Sequence, residues 1–256
     1  MTIRHDGLTV DWLGYATVRI ETPDGFVVYL DPGRYGVLTG EWTSDSSDAA
    51  AAHPEPTDYH ARDADLVCVT HGHHYDSDGV ERVASEDATV VVHEAVSADE
   101  LDRDADAPES LPYDVVRVSD DDHRVVAGAD GGSVDVWTVA AYNDPEGPYT
   151  RADGSVVHPR GEGCGFLLSL DGTTVFWPGD SDAHDGFSRL DVSLFLANIS
   201  GSVCMDRHDA ADLAAALDPD LVLPVHYNTL DFLEADSGAF ASDVAKRGVP
   251  VVLDER

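Results

Sequence analysis

Lysine is nearly missing from this 256-residue chain: Lys246 is the only one, and the other fourteen cations are arginines. Against them stand 50 Asp and Glu, for a formal net charge of -35. That balance works against nucleic acid as a partner, because neutralising phosphates takes Lys and Arg. Long apolar runs are missing too, and nothing approaches the roughly 18 residues of a membrane helix. The polar stretch 1–7 lacks the apolar core of a secretion signal. Cysteine is scarce. Cys68, Cys164 and Cys204 show no paired spacing, so neither a disulfide framework nor a cysteine-based zinc site is expected. The expectation is a cytoplasmic protein acting on a small molecule, without nucleic acid or membrane, with a homo-oligomer left open.

Hydrophobic residues make up 43% of the chain, enough for a real core. The acidic residues are spread along its whole length, so their mutual repulsion opposes compaction. At molar salt the Debye length falls to about 3 Å and the repulsion is screened. The charge therefore reads as the mark of a salt-accumulating organism of haloarchaeal kind, and says little about substrate.

Short β-type runs open the chain at 8–13, 16–22 and 26–30, with Pro23-Asp24-Gly25 as a turn. Further strands are expected at 66–70, 89–93, 133–141, 165–170, 173–177, 192–197, 221–225 and 249–253, with Asp171-Gly172 as a hairpin turn. Helices are expected around 80–84, along the apolar face Ala210, Leu213, Ala214, Leu217, and over 239–247. Residues 38–63 read as a surface insertion, and 99–112 as a loop. Two β-rich halves carrying helices, with no linker between them, predict an α/β (α+β) protein: one domain over 1–256, two sheets packed together with helices outside.

Twelve histidines are many, and their positions matter more than their number. His71-Gly72-His73 leaves a strand end, where Gly72 allows a sharp turn, and His74 and Asp76 follow at once. His158, Asp180 and His226 lie beside later strands. Taken together these are N/O donors from separate strand ends, suited to zinc, manganese or iron. His5, His53, His60, His123, His184 and His208 lie in polar segments and are expected at the surface. His93 ends an apolar strand and reads as structural.

The ordered set resembles the metallo-β-lactamase superfamily. Within it, the chain resembles the small metal-dependent hydrolases related to phosphorylated-ascorbate lactonase. The matching pieces are Trp12-Leu13-Gly14-x-Ala16, Asp31-Pro32, Thr70-His71-Gly72-His73, Asn143 with His158-Pro159-x-Gly161, Gly179-Asp180-Ser181-Asp182, Met205-Asp206 and Pro224-Val225-His226-Tyr227. The resemblance implies a four-layer αββα sandwich and one or two divalent ions, zinc first. His71, His73, His158 and a bridging Asp180 would hold the first ion. Asp180 and His226 would hold the second, completed by Asp76 or, after a one-residue slip, by His74. In ungapped register the family's Asp falls on Tyr75 and its next His on Asp76, and its Gly-His-Ala is here Gly14-Tyr15-Ala16.

The implied reaction is metal-bound hydroxide attacking a small ester, lactone or phosphoester. Asp76 and Asp180 are the expected catalytic carboxylates, with Asn143, Arg160 and Tyr227 as substrate contacts. Two other classes are open: a di-iron oxidoreductase on the same scaffold, or a non-catalytic binding protein with a degenerate second site. The charge alone generates a prediction. Thermal unfolding followed from low to multimolar KCl should show a large rise in midpoint. A flat response would contradict the screening argument.

Overall fold

The structure, a computed structural model, describes residues 2–42, 57–128 and 132–255. Two sheets dominate it. The first runs in spatial order β1 (Ile3–His5), β2 (Leu8–Gly14), β3 (Thr17–Glu21), β4 (Val27–Leu30), β5 (Ala64–Val69), β6 (Ala84–His93), β7 (Asp114–Val118). It is antiparallel from β1 to β4 and parallel from β4 to β7. The second contains β8 (His123–Ala127), β9 (Ser133–Ala140), β10 (Cys164–Leu170), β11 (Thr173–Trp177), β12 (Leu194–Asn198) and β13 (Leu221–Val225), in sequential order from one edge to the other. It turns from antiparallel to parallel at β11.

Strand chemistry follows position. β4 and β12 are buried at every residue, as expected of strands covered on both faces. β2 alternates buried and half-buried residues. Three α-helices occur among the described residues: α1 (Ser77–Val83), α2 (Arg207–Leu217) and α3 (Ser237–Lys246). α1 packs on β5, while α2 packs on β12 and α3. The α2 stripe Ala210, Leu213, Ala214, Leu217 is buried, and Asp206 caps the helix by accepting from the His208 and Asp209 amides. Residues of both sheets and of the helices form a single buried cluster. The expected mixed α/β architecture of two sheets with few helices is what the structure shows.

Several elements differ from the sequence expectation. β1 is only three residues long. β7 and β8 are mostly half-exposed, which dilutes the apolar alternation that marks a strand. The expected strand at 249–253 reduces to one parallel bridge, Val222 to Val251. Gly72 sits in a 3₁₀ turn, Gly72–His74, and is not among the glycines with positive φ. Of the expected insertion, 43–56 lie outside the described residues. Its described N-terminal flank is tied to the body: Leu38 and Trp42 are buried, and the Trp42 indole donates to the Thr229 carbonyl at 2.6 Å.

The parallel strands send their C-terminal ends to one end of the molecule. The loop after β4 and the start of α1 meet there so closely that a Cβ on Gly79 would stand 2.2 Å from the Pro32 carbonyl oxygen. Gly79→Ala should therefore destabilise the fold by about 1–3 kcal/mol, read by denaturant unfolding. An unchanged midpoint would contradict this close packing.

Candidate metal centre

The loops leaving β4 and β5 in the first sheet, and β11 and β13 in the second, converge on one cavity of about 450 Å³. His71 and His74 follow β5, Asp180 follows β11, and His226 follows β13. His158 arrives on the irregular segment between β9 and β10. Close approach sets the entry of His71: its backbone bridges Gly163, where a Cβ would lie 2.8 Å from the His71 Cβ. Tyr15, Asp31, Tyr35 and His226 all have positive φ. Such conformations are costly away from glycine and concentrate at functional sites.

A hydrogen-bond network orients the rings. Asp31, fully buried, accepts from the Thr70 amide (2.8 Å), the Thr70 hydroxyl (2.9 Å) and the Trp177 indole (2.7 Å). It also pairs with His74 Nδ1 at 2.9 Å. A carboxylate only accepts, so His74 carries its proton on Nδ1 and presents a bare Nε2. The Thr70 hydroxyl is already donating to Asp31, so at 2.9 Å it accepts from His71 Nδ1 and leaves His71 Nε2 bare. His158 Nδ1 donates to the Val203 carbonyl at 3.0 Å, with the same result.

These nitrogens, with His226 Nε2, converge on Asp180. Its Oδ2 lies 3.4 Å from His158 Nε2 and 3.8 Å from His71 Nε2. Its Oδ1 lies 3.4 Å from His226 Nε2 and 3.6 Å from His74 Nε2, and accepts from the Asn198 amide at 2.9 Å. His73 Nδ1 faces His158 Nε2, and His74 Nε2 faces His226 Nε2, each at 3.1 Å. His71 Nε2 is buried without a hydrogen-bond partner. Buried imidazole nitrogens and a carboxylate gathered this closely, one nitrogen without any partner, suit a cation lying between them. The ligand atoms of a tetrahedral zinc site are about 3.4 Å apart, from bonds of about 2.0–2.1 Å. The residues present therefore fit divalent metal ions.

Electrostatics agree with this. Burial, reinforced by neighbouring imidazoles, holds His71 and His226 well below the ordinary histidine range. Burial and neighbouring cationic groups bring His73 down to about 4, and burial with His73 brings His158 to about 3. Burial also lowers His74, but Asp180 and Asp31 outweigh it and the pKa is raised. Burial pushes Asp180 up to about 6, against the pull of His74 and the Asn198 amide. Near neutral pH the lowered imidazoles are unprotonated, and their lone pairs are available.

Of the residues singled out in the sequence, His71, His73, His74, His158, Asp180 and His226 come together. Asp76 does not. Its Oδ1 accepts from the Asp78 and Gly79 amides at the start of α1, and its Oδ2 from the Arg34 amide at 3.2 Å, so it is a helix cap turned out of the cluster. The expected substrate contacts also move. Asn143 braces His158, accepting from its amide while donating to Asp182 and the Val203 carbonyl. Arg160 stacks over Tyr142. Tyr227 stacks on Trp12 and donates to Glu255.

Sequence reasoning passed over Cys204, whose thiol forms a compact buried group with Asp180 and His226. It also passed over Asn198, whose signal was a polar residue ending a fully apolar strand. Tyr15 stands edge-on to His74 at 5.0 Å. His93 is buried, with Nε2 3.9 Å from Asp120. His5 and His184 are not exposed as expected: His184 stacks on Tyr142, and the His5 side chain is 10% exposed. His53 lies outside the described residues.

The sequence profile of the family described as the beta-lactamase superfamily domain matches residues 9–226. The chain belongs to that family. Among relatives within this superfamily, the chain is 26% identical over 252 residues to a UPF0173 metal-dependent hydrolase of Thermococcus onnurineus, covering 95% of each chain. Its fold resembles a metal-dependent hydrolase of Parabacteroides distasonis, with TM-score 0.66, 20% identity, and 98% and 96% of the two chains covered. It also resembles CmlA, a diiron β-hydroxylase of Streptomyces venezuelae, with TM-score 0.60, 16% identity, and 97% of this chain but 53% of that one covered.

The two possible registers after His73 generate a prediction. His74→Ala should lose one bound metal ion per chain, by metal analysis. Asp76→Ala should keep full metal content and lose about 1 kcal/mol of stability as a missing helix cap. Metal loss in Asp76→Ala instead would overturn this assignment.

Proposed function

We propose that the chain is a metal-dependent hydrolase of a small ester, lactone or phosphoester, with zinc as the preferred ion. The observation that carries this is Asp180: one carboxylate oxygen faces His71 and His158, the other His74 and His226. His71, His73 and His158 would hold one ion, His74 and His226 a second, and Asp180 would be shared. A bound divalent ion lowers the pKa of a coordinated water to about 7, supplying a nucleophile at neutral pH, and acts as a Lewis acid.

The chain's own residues prepare that chemistry. Asp31 fixes the tautomer and orientation of His74, and Asn198 orients Asp180 by donating to its Oδ1. Tyr15 lines the cavity, and burial raises its phenol pKa, so it stays protonated there. Leu101, Val157, Leu233 and Phe232 add an apolar lining, and Phe232 is 53% exposed. A cavity of about 450 Å³ suits a small organic substrate. Arg34 and Arg103 also line it, but both are engaged by Asp102 and by loop carbonyls.

The alternative of a degenerate second site loses its main support, because His74 supplies the imidazole that Tyr75 and Asp76 do not. The oxidoreductase alternative has only the fold likeness to CmlA in its favour. A panel of small esters, lactones and phosphoesters, assayed in high salt, tests the proposal. Turnover should vanish with a chelator, return with zinc, and fall at least about a hundredfold in Asp180→Asn. Asp31→Asn should weaken metal affinity by roughly 10–100-fold. Chelator-resistant turnover, or full activity in Asp180→Asn, would contradict the proposal.

A further inference from the structure

At the opposite end of the molecule, the β1–β2 hairpin meets the start of β13. Asp6 and Gly7, with φ of 47° and 87°, form the two-residue turn of that hairpin. The Thr173 hydroxyl reaches the Asp6 carbonyl at 3.5 Å, which places the turn against the second sheet. Asp220 immediately precedes β13. One ligand atom each from His5, Asp6 and Asp220 lies within 4.8 Å of the others. From Asp220 to His226 the chain advances about 20 Å, at roughly 3.3 Å per residue, so this group is remote from the central cluster.

His5 makes the group more than a pair of surface acids. Its side chain is nine-tenths buried, and its Nε2 atom is inaccessible and has no hydrogen-bond partner. That nitrogen points toward the Asp6 carboxylate, with Oδ2 3.6 Å away, too far for a hydrogen bond. Among the described residues, neither Asp6 nor Asp220 pairs with an arginine or lysine. A buried polar nitrogen without a partner is costly, and two carboxylates beside it in a chain of net charge -35 add repulsion.

We infer that His5, Asp6 and Asp220 form a second, structural metal site that binds a first-row divalent cation and clips the β1–β2 turn to β13 across the two sheets. One imidazole and two carboxylates form a donor set for zinc or manganese. The nitrogen-to-oxygen separation of 3.6 Å is close to the roughly 3.4 Å expected between ligands of a tetrahedral ion. Bound there, the cation satisfies the His5 nitrogen, offsets both acids and ties the first sheet to the second. This site is independent of the proposed hydrolytic activity.

The test is zinc stoichiometry and thermal midpoint in high salt, on the full chain, for wild type, Asp220→Asn, His5→Gln, and His71→Ala/His158→Ala with and without Asp220→Asn. Wild type should hold one more zinc per chain than Asp220→Asn or His5→Gln, and Asp220→Asn should keep its turnover. Added zinc should raise the midpoint of His71→Ala/His158→Ala by clearly more than it raises that of the same variant carrying Asp220→Asn. Equal stoichiometry in wild type, Asp220→Asn and His5→Gln would overturn the site. So would a zinc-induced rise of equal size with and without Asp220→Asn. Should the central double change prevent folding, the comparison of wild type with the two remote single variants decides alone.

Discussion

The carboxylate of Asp31 is the joint on which the site depends. It follows β4, takes up the amide and hydroxyl of Thr70 just after β5, and receives the Trp177 indole from β11 in the other sheet. Three strand ends from two sheets are thus held by one buried anion. Its remaining contact, to His74 Nδ1, transmits that order to the ring beside Asp180. A buried carboxylate is expensive unless fully hydrogen-bonded, and Asp31 is satisfied by donors that also define the cavity. Structure and chemistry therefore share one group: loosening Asp31 would release the sheets from each other and free the His74 ring to turn.

Asp180 has the opposite character. Asn198 supplies a single hydrogen bond, while four imidazole nitrogens stand 3.4–3.8 Å from its oxygens without donating to it. Burial therefore raises its pKa, where a satisfied carboxylate would be lowered. Such a group is stable when cations complete it. The chain repeats the theme at another scale, with 50 acidic residues against 15 cations.

Much of this was legible in the sequence, for physical reasons. β2, β3, β4 and, in the second sheet, β9 to β13 announce themselves by apolar runs and turn chemistry. Asp171-Gly172 adopts the positive φ values its hairpin needs, 49° and 83°. His71, His73, His158, Asp180 and His226 were legible because strand ends are where side chains converge. The edge strands β7 and β8 were not, because half-exposed strands lack a clear pattern. Asp76 misled because position in a motif does not tell which way a side chain points, and helix capping claimed its oxygens. Asn143 and Tyr227 misled similarly: polar atoms near a site also serve to brace it. The burial of His5 and the approach of Cys204 to Asp180 are tertiary facts that no local spacing carries.

The central claim is that Asp180 joins two imidazole groups into one two-ion centre. Electron paramagnetic resonance of the manganese-loaded protein at high salt tests it most directly. The account predicts the spectrum of an exchange-coupled manganese pair, lost in His74→Ala. Isolated six-line signals alone, growing in proportion to bound manganese, would contradict it.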